Sequence, residues 1–345
     1  MPNKSTTPAV AGPEMLNAIR ADASPSYQES VPVATPLNLS DVGNPIMNYQ
    51  PLKNEFLDAL VNKIAYTIIE WRMWDNPLRE LRSEPLPLGV DLEEVHVNPA
   101  EAEQYDGGET GMADLLKLHK PDVASVFFRL NRREKYPVTI NNQQLRGAFT
   151  SWNNLEKLIA YIVDSLYTGA NIDDYNYTKD IVSAAIAGGG VITQTTPNPV
   201  NDVTGKQFMK TLRGLSALMT FPSSNYNAYA ALSGQKARTT WTPIADQIIL
   251  IRADVAAGVG VDVLSTLFNV EYADYLARQI IVDNFNDENT LAVLADRRAF
   301  IIKEQLREFA TFFNASSLSW QYYFHCWDIF AMSPLHNAVA IQAGA

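Results

Sequence analysis

The sequence predicts an α+β fold, and three stretches carry that expectation. Leu155, Leu158, Ile159, Ile162, Val163, Leu166 and Tyr167 recur at the 3.6-residue period of a helix and form one apolar stripe. Ser319 to Ile329 alternates at the period of a strand. Trp320, Tyr322, Phe324 and Cys326 fall on one face, with Tyr323, His325, Trp327 and Ile329 on the other. Ile248 to Ile251 is a short, wholly apolar run bounded by polar residues, the mark of a buried strand.

From the N-terminus, residues 1–50 hold seven of the 19 prolines, at 2, 8, 13, 25, 32, 36 and 45. Proline fixes φ and removes a backbone donor, so that density opposes regular helix and ladder formation. The expectation is an extended arm, ordered only where it lies on something else, or a disordered tail. Leu52 to Trp71 then reads as a helix, with Phe56, Leu57, Leu60, Ile64, Ile68 and Trp71 on one stripe. Asn76-Pro77 ends any helical run, because the residue before proline is driven from the helical region.

Residues 78–140 alternate short apolar runs with Pro, Gly and charge, which predicts a long excursion with strand character, a twisted hairpin. Its charges are segregated. Val90 to Leu116 holds eight acidic residues (Asp91, Glu93, Glu94, Glu101, Glu103, Asp106, Glu109, Asp114) and no Lys or Arg. Arg129, Arg132, Arg133 and Lys135 follow as a basic cluster.

The clearest helix begins where Thr150 or Ser151 can accept from the free amides of a first turn. Gly169 is expected to close it, at a length of roughly 30 Å. A second helix, about Ile172 to Ala187, ends at Gly188-Gly189-Gly190, and Thr204 to Met219 reads as a third. Val261 to Phe268 and Phe300 to Phe312 read as helical or mixed. The two-faced aromatic strand belongs in a core covered on both sides. Ser333-Pro334 makes a turn, and Ala338 to Ile341 returns as a last strand. No internal repeat is evident.

Composition narrows the function. Hydrophobic residues are 47% and charged ones 19%, too apolar for a disordered chain. The net charge of −11 gives little of the counterion release that drives general nucleic-acid binding, so a dedicated DNA reader is not expected. A lone cysteine, Cys326, excludes an intrachain disulfide and fits synthesis in a reducing cytosol. Neither a signal peptide nor a membrane-spanning apolar run is predicted.

Searches for chemistry return near misses. Gly205-Lys206 lacks the glycine and the hydroxyl of a phosphate loop, since Val200 and Gln207 occupy those places. Gly258-Val259-Gly260 lacks a third glycine at Val263, and metalloprotease and nucleophile-elbow patterns are absent. His96, His119, His325 and His336 show no ligand spacing, and His325 and Cys326 point to opposite faces of one strand. The acidic run lacks the Asp/Asn alternation and glycine of a calcium loop, which leaves a solvated face or an interaction surface. No catalytic, cofactor or metal residue is named.

Several stretches in order resemble the major head protein of phi-29-type podophages. They are Asn76-Pro77-Leu78, Pro87-Leu88-Gly89, Leu92-Glu93-Glu94, Glu103-Gln104-Tyr105-Asp106, Asn131-Arg132-Arg133 and Leu145 to Trp152. Asp173-Asp174-Tyr175, Asp262-Val263-Leu264, Trp320 to Trp327 and Asn337 to Ala340 continue the match, which covers about Tyr27 to the end. The resemblance implies an HK-97-like capsid fold. In that reading residues 1–50 are an N-terminal arm, 51–77 an N-terminal helix region and 78–140 an extended loop. Residues 141–197 form a peripheral domain with a spine helix, 198–283 an axial domain, and 284–345 the return to both sheets with the C-terminal strands. Some relatives carry a further immunoglobulin-like domain, expected to be missing here.

The function implied is a shell subunit, not an enzyme. It would form hexamers and pentamers of itself with a scaffolding protein and a portal, and enclose double-stranded DNA non-specifically. No cofactor and no membrane partner are implied, and the protein would be built in the host cytoplasm and end in the virion. Candidate contacts between subunits are Arg129, Arg132, Arg133 and Lys135 against Glu93, Glu94, Glu101, Glu103 and Asp106. Two rivals stand beside this reading, a cellular nanocompartment shell of the same fold and a cytosolic enzyme using carboxylates.

Overall fold

The computed structural model of the chain describes residues 12–67, 74–103, 118–151, 154–155, 158, 162, 164–260 and 277–344. Helices among them are α1 (Gly12–Asp22), α2 (Pro25–Ser30), α3 (Leu39–Asn48), α4 (Gln50–Thr67) and α5 (Asn142–Ala148). After these come α6 (Gly169–Ala187), α7 (Asp202–Leu218), α8 (Tyr229–Ser233) and α9 (Ala253–Gly260). The strands are β1 (Leu92–Val97), β2 (Val123–Phe128), β3 (Arg132–Asn141), β4 (Ile192–Thr196) and β5 (Gln247–Arg252). They continue as β6 (Arg278–Val282), β7 (Thr290–Asp296), β8 (Phe300–Asn314), β9 (Ser319–Met332) and β10 (Ala338–Ala343). The chain divides into two compact units. The first comprises Met1–Asn76, Arg133–Asp174 and Leu306–Trp327, and the second Pro77–Arg132, Tyr175–Gln305 and Asp328–Ala345.

In the first unit the described part of the proline-rich segment is helical, which corrects the expectation of an extended arm or disordered tail. Two of the prolines stand where helices tolerate them. Pro13 and Pro25 lie in the first turns of α1 and α2, whose amides have no intrahelical acceptor anyway. The Ser24 hydroxyl accepts from the Tyr27 amide at 3.3 Å and caps α2. Pro45 lies inside α3 and removes one backbone bond, a cost offset by burial of Leu39, Val42 and Ile46. These helices bury Met15, Leu16, Ile19, Tyr27 and Ile46 together with Phe56, Leu57 and Leu60 of α4. Ile68 and Trp71 of the α4 stripe lie outside the described residues.

The predicted spine stripe faces the same core: Leu155, Leu158, Ile162 and Leu166 are all buried in it. Ser151 Oγ accepts from the Asn154 amide at 3.3 Å, as a cap should. Gly169 does not close this helix. Residues Asp164–Thr168 form a π turn that passes straight into α6. A glycine stop needs the left-handed conformation, and Gly169 is not among the positive-φ residues, whereas Gly189 is, at +72°. There the Gly190 amide reaches the Ala185 carbonyl at 2.7 Å and the Gly189 amide reaches Ile186 at 3.2 Å, so α6 ends at the predicted glycines.

A three-stranded sheet has the order β3-β9-β8. Phe300 to Phe312, read as helical or mixed, is instead the strand β8. Its Ile302, Leu306, Phe309 and Phe313 mimic helical spacing, and pairing with β9 overrides that local signal. One face of β9 is core, with Trp320, Tyr322, Phe324 and Cys326 buried. The other face is covered only in part, since Ile329 is buried but Tyr323, His325 and Trp327 are half-buried.

The second unit holds a five-stranded sheet of order β4-β10-β7-β5-β6. β5 pairs antiparallel with β7 and parallel with β6, and β10 pairs antiparallel with β7 and parallel with β4. Two cores lie on its two faces, which explains why Ile248 to Ile251 is apolar throughout. Ile248 and Leu250 meet Val182 and Ile186 of α6, with Ala338 and Ala340 of β10. Ile249 and Ile251 meet Phe208, Leu212 and Leu215 of α7, with Val339 and Ile341. Val261 to Phe268 lies outside the described residues.

Candidate functional site

The charge-segregated excursion folds around an antiparallel hairpin in which β1 pairs with β2, from Leu92 opposite Phe128 to Val97 opposite Val123. The two-residue period sorts its side chains. Leu92, Glu94 and His96 with Ala124, Val126 and Phe128 turn inward and are half or fully buried. Glu93, Val95 and Val97 with Val123, Ser125 and Phe127 turn outward and are exposed. The hairpin thus presents an apolar face with one acid on it.

The loop end of this ladder, just past the Val97–Val123 pair, is fastened by a polar knot. Asn98 Nδ2 donates to Asp122 Oδ2 at 2.7 Å and to the Ala237 carbonyl at 3.0 Å, while Asn98 Oδ1 accepts from the Thr239 amide at 3.0 Å. Arg238 donates to Asp122 Oδ1 at 2.8 Å and lies over the Tyr229 ring at 5.1 Å. The Asn98 hydrogen bond, then Arg238, hold the Asp122 carboxyl below the usual carboxylate range against a smaller desolvation effect.

The basic cluster divides into one buried and three exposed cations. Arg132 is 3% exposed and is bound by Asp328 at 3.2 Å, with its guanidinium 4.9 Å from the Tyr177 ring and 5.5 Å from Phe330. Arg82 holds the other Asp328 oxygen at 2.9 Å. Arg132 is therefore a core residue, and its expected place at a subunit contact is corrected: a buried guanidinium needs a buried carboxylate close by. Arg129 is exposed and pairs with Asp91 at 3.0 Å. Arg133 lies over Trp327 at 5.6 Å and Lys135 over Tyr323 at 5.2 Å. Both cations stay exposed on the uncovered side of the β3-β9-β8 sheet, where their stems half-cover the second aromatic face.

The acidic candidates are equally divided. Glu93 is exposed on the outward hairpin face. Glu94 is turned inward and takes Ser333 Oγ at 2.5 Å and His336 Nε2 at 2.5 Å. Glu101 pairs with Lys236 at 2.5 Å, Glu103 stands 3.6 Å from His119, and Asp106 lies outside the described residues.

The near misses resolve structurally. Gly205 and Lys206 belong to the first turn of α7, capped by Asn201 and Thr204, with no loop to hold a phosphate. Cys326 is buried and His325 half-exposed on the opposite face of β9. No cluster of three or more metal-ligating side chains occurs among the described residues.

Sequence reading missed Asp328, Arg82 and Arg238. A clue was present in Asp328, a lone acid in an aromatic strand, which only a buried cation makes tolerable.

Comparison with known proteins gives concordant results. A family model described as Phi29-like phage major capsid protein matches residues 16–342. The chain is 31% identical over 335 residues to a major capsid protein of Bacillus phage PZA, covering 96% of this chain and 73% of the relative. It is 32% identical over 335 residues to that of Bacillus phage B103, with coverage of 96% and 73%. The capsid structure of Staphylococcus phage Andhra superposes with a TM-score of 0.62 at 14% identity, over 81% of this chain and 86% of the other.

Proposed function

The chain belongs to the Phi29-like phage major capsid protein family and has the HK-97-like capsid fold, and from that premise we propose how it builds a shell. Copies assemble into hexamers and pentamers that close a head around double-stranded DNA. A scaffolding protein guides assembly and a portal seeds it, in the host cytoplasm. DNA is contained without sequence-specific contacts, as a net charge of −11 suits. The role is structural and uses no catalytic residue. The observation that carries this reading is the family match along nearly the whole chain. Its relatives are phage capsid proteins by name, which favours a phage head over a cellular nanocompartment.

The contacts proposed between copies join two exposed surfaces of opposite character. One is the outward hairpin face, with Glu93, Val95, Val97 and Phe127, followed in sequence by Glu101, Glu103 and Asp106. The other is the aromatic sheet face with Arg133 and Lys135, and Arg129 nearby in sequence. Arg132 and Glu94 leave the set, because neither is exposed: Arg132 is buried on Asp328 and Glu94 is turned inward onto His336. Each exposed pair contributes roughly 0–1 kcal/mol, but a closed shell repeats it in every subunit. Arg133→Glu with Lys135→Glu is expected to fold, losing about 1–2 kcal/mol at most with its two cation–π contacts, and to sediment as free subunits under conditions that assemble wild type. Raising salt to about 0.5 M should weaken the wild-type lattice in the same sense. A double mutant that assembles normally overturns the contact.

A further inference from the structure

Beneath the hairpin, residues from distant parts of the sequence converge on a polar cavity of about 150 Å³ lined by His96, Thr242, Asp296, Arg298, His336 and Asn337. Glu94 and His96 come from the inward face of β1, and His336 from the turn before β10. Glu94 bridges the two elements with both oxygens, to Ser333 Oγ and to His336 Nε2. His96 Nδ1 is buried without a hydrogen-bond partner. Around it the hairpin rests on small apolar patches, Ala124 with Tyr229 and Leu335, and Phe128 with Ile301 and Ile329. A hairpin seated on so little apolar surface depends on its polar fastenings.

We propose that Glu94, His96 and His336 form a latch that holds the hairpin against the turn before β10 near neutral pH and releases it on acidification.

The trigger is His96, because each carboxylate facing it is already engaged. Asp122 serves Asn98 and Arg238, Glu94 serves Ser333 and His336, and Asp296 takes Thr242 and Arg298. A proton on His96 would add a cation beside Arg238, Arg298 and His336, where every facing carboxylate already holds other donors. Lifting the hairpin would hydrate that imidazolium. Burial, then Arg238 and His336, hold the His96 pKa below its ordinary 6.5, against the opposing pull of Glu94 and Asp122. The lifted hairpin therefore binds the proton more tightly than the seated one. Seating is complete above pH 6.5 and weakens as pH falls below it. Glu94 acts in the same direction at lower pH. Burial raises its pKa, but the bonds from His336 and Ser333 and the charge of Arg298 outweigh that and hold it below 4.5. Its contribution is lost as pH falls through that depressed value.

Hydrogen exchange on the unassembled full chain tests the latch, with hairpin amides of 92–97 and 123–128 referenced to β7 and corrected for intrinsic rates. From about pH 7.5 to about pH 5.5, wild-type hairpin protection is expected to fall, by up to about tenfold per pH unit below the ordinary histidine value, while β7 keeps its protection. His96→Gln should abolish that dependence, and Glu94→Gln should lower hairpin protection already at neutral pH. A constant wild-type ratio of hairpin to β7 overturns the proposal, as does a His96→Gln profile that follows wild type. The wild-type profile decides alone if a variant fails to fold. Because no assembly is read, the latch can fail while the shell-building reading stands, and the reverse.

Discussion

Arg132 illustrates what a single residue's surroundings decide and its neighbours in sequence do not. Arg129, Arg132, Arg133 and Lys135 form one basic cluster on paper, yet only Arg132 meets a carboxylate 196 positions away and sinks with it. Alternation along β3 explains the division, because Arg132 and Arg133 point to opposite sides of one strand. No local pattern shows which side is buried; that depends on Asp328 and on the Tyr177 and Phe330 rings. Asp328 has no exposed surface and answers both Arg82 and Arg132, so removing it leaves two guanidinium groups without their shared acid. Asp328→Ala is expected to destabilise the subunit by about 3–5 kcal/mol, read as a lowered denaturation midpoint. A midpoint equal to wild type would mean that the two arginines find water or another acceptor. His96 and His336 make the same point: 240 residues apart and without ligand spacing, they line one cavity.

At the scale of elements, legibility follows the length and regularity of the apolar pattern. The spine stripe was readable because it repeats one period without interruption, and β5 because its short apolar run is unbroken. The described helices of the proline-rich segment were not, because Pro13 and Pro25 fall in first turns, where proline is tolerated, and Pro45 inside α3 is overridden by tertiary burial. β8 was misread because its apolar spacing satisfies a helix locally while its ladder partner lies in the next hairpin arm. The spine stripe gives the sharpest test at this scale. Ile162 is 1% exposed in the first unit's core, so Ile162→Ala is expected to cost about 2–5 kcal/mol in chemical denaturation. A loss under about 0.5 kcal/mol, the size of an ordinary surface substitution, would show that the helix turns its stripe away from the core.

For the whole molecule, composition excluded several classes and named none. An acidic, aromatic chain with one cysteine and no catalytic pattern suits many folds. The ordered set of short motifs pointed to a shell subunit, and the match over residues 16–342 establishes the family. The architecture accords with that role. Two units each bury a core of their own, while the outward hairpin face of Val95, Val97, Val123 and Phe127 is exposed among the described residues. Such a surface is costly for an isolated monomer and useful where every copy meets another. Electron microscopy of the full chain, alone and co-expressed with the scaffolding partner proposed above, tests this most directly. Closed shells of uniform size, built from rings of the chain, are the predicted result. Free subunits or amorphous aggregate under every condition, from a chain shown to be folded, would contradict it.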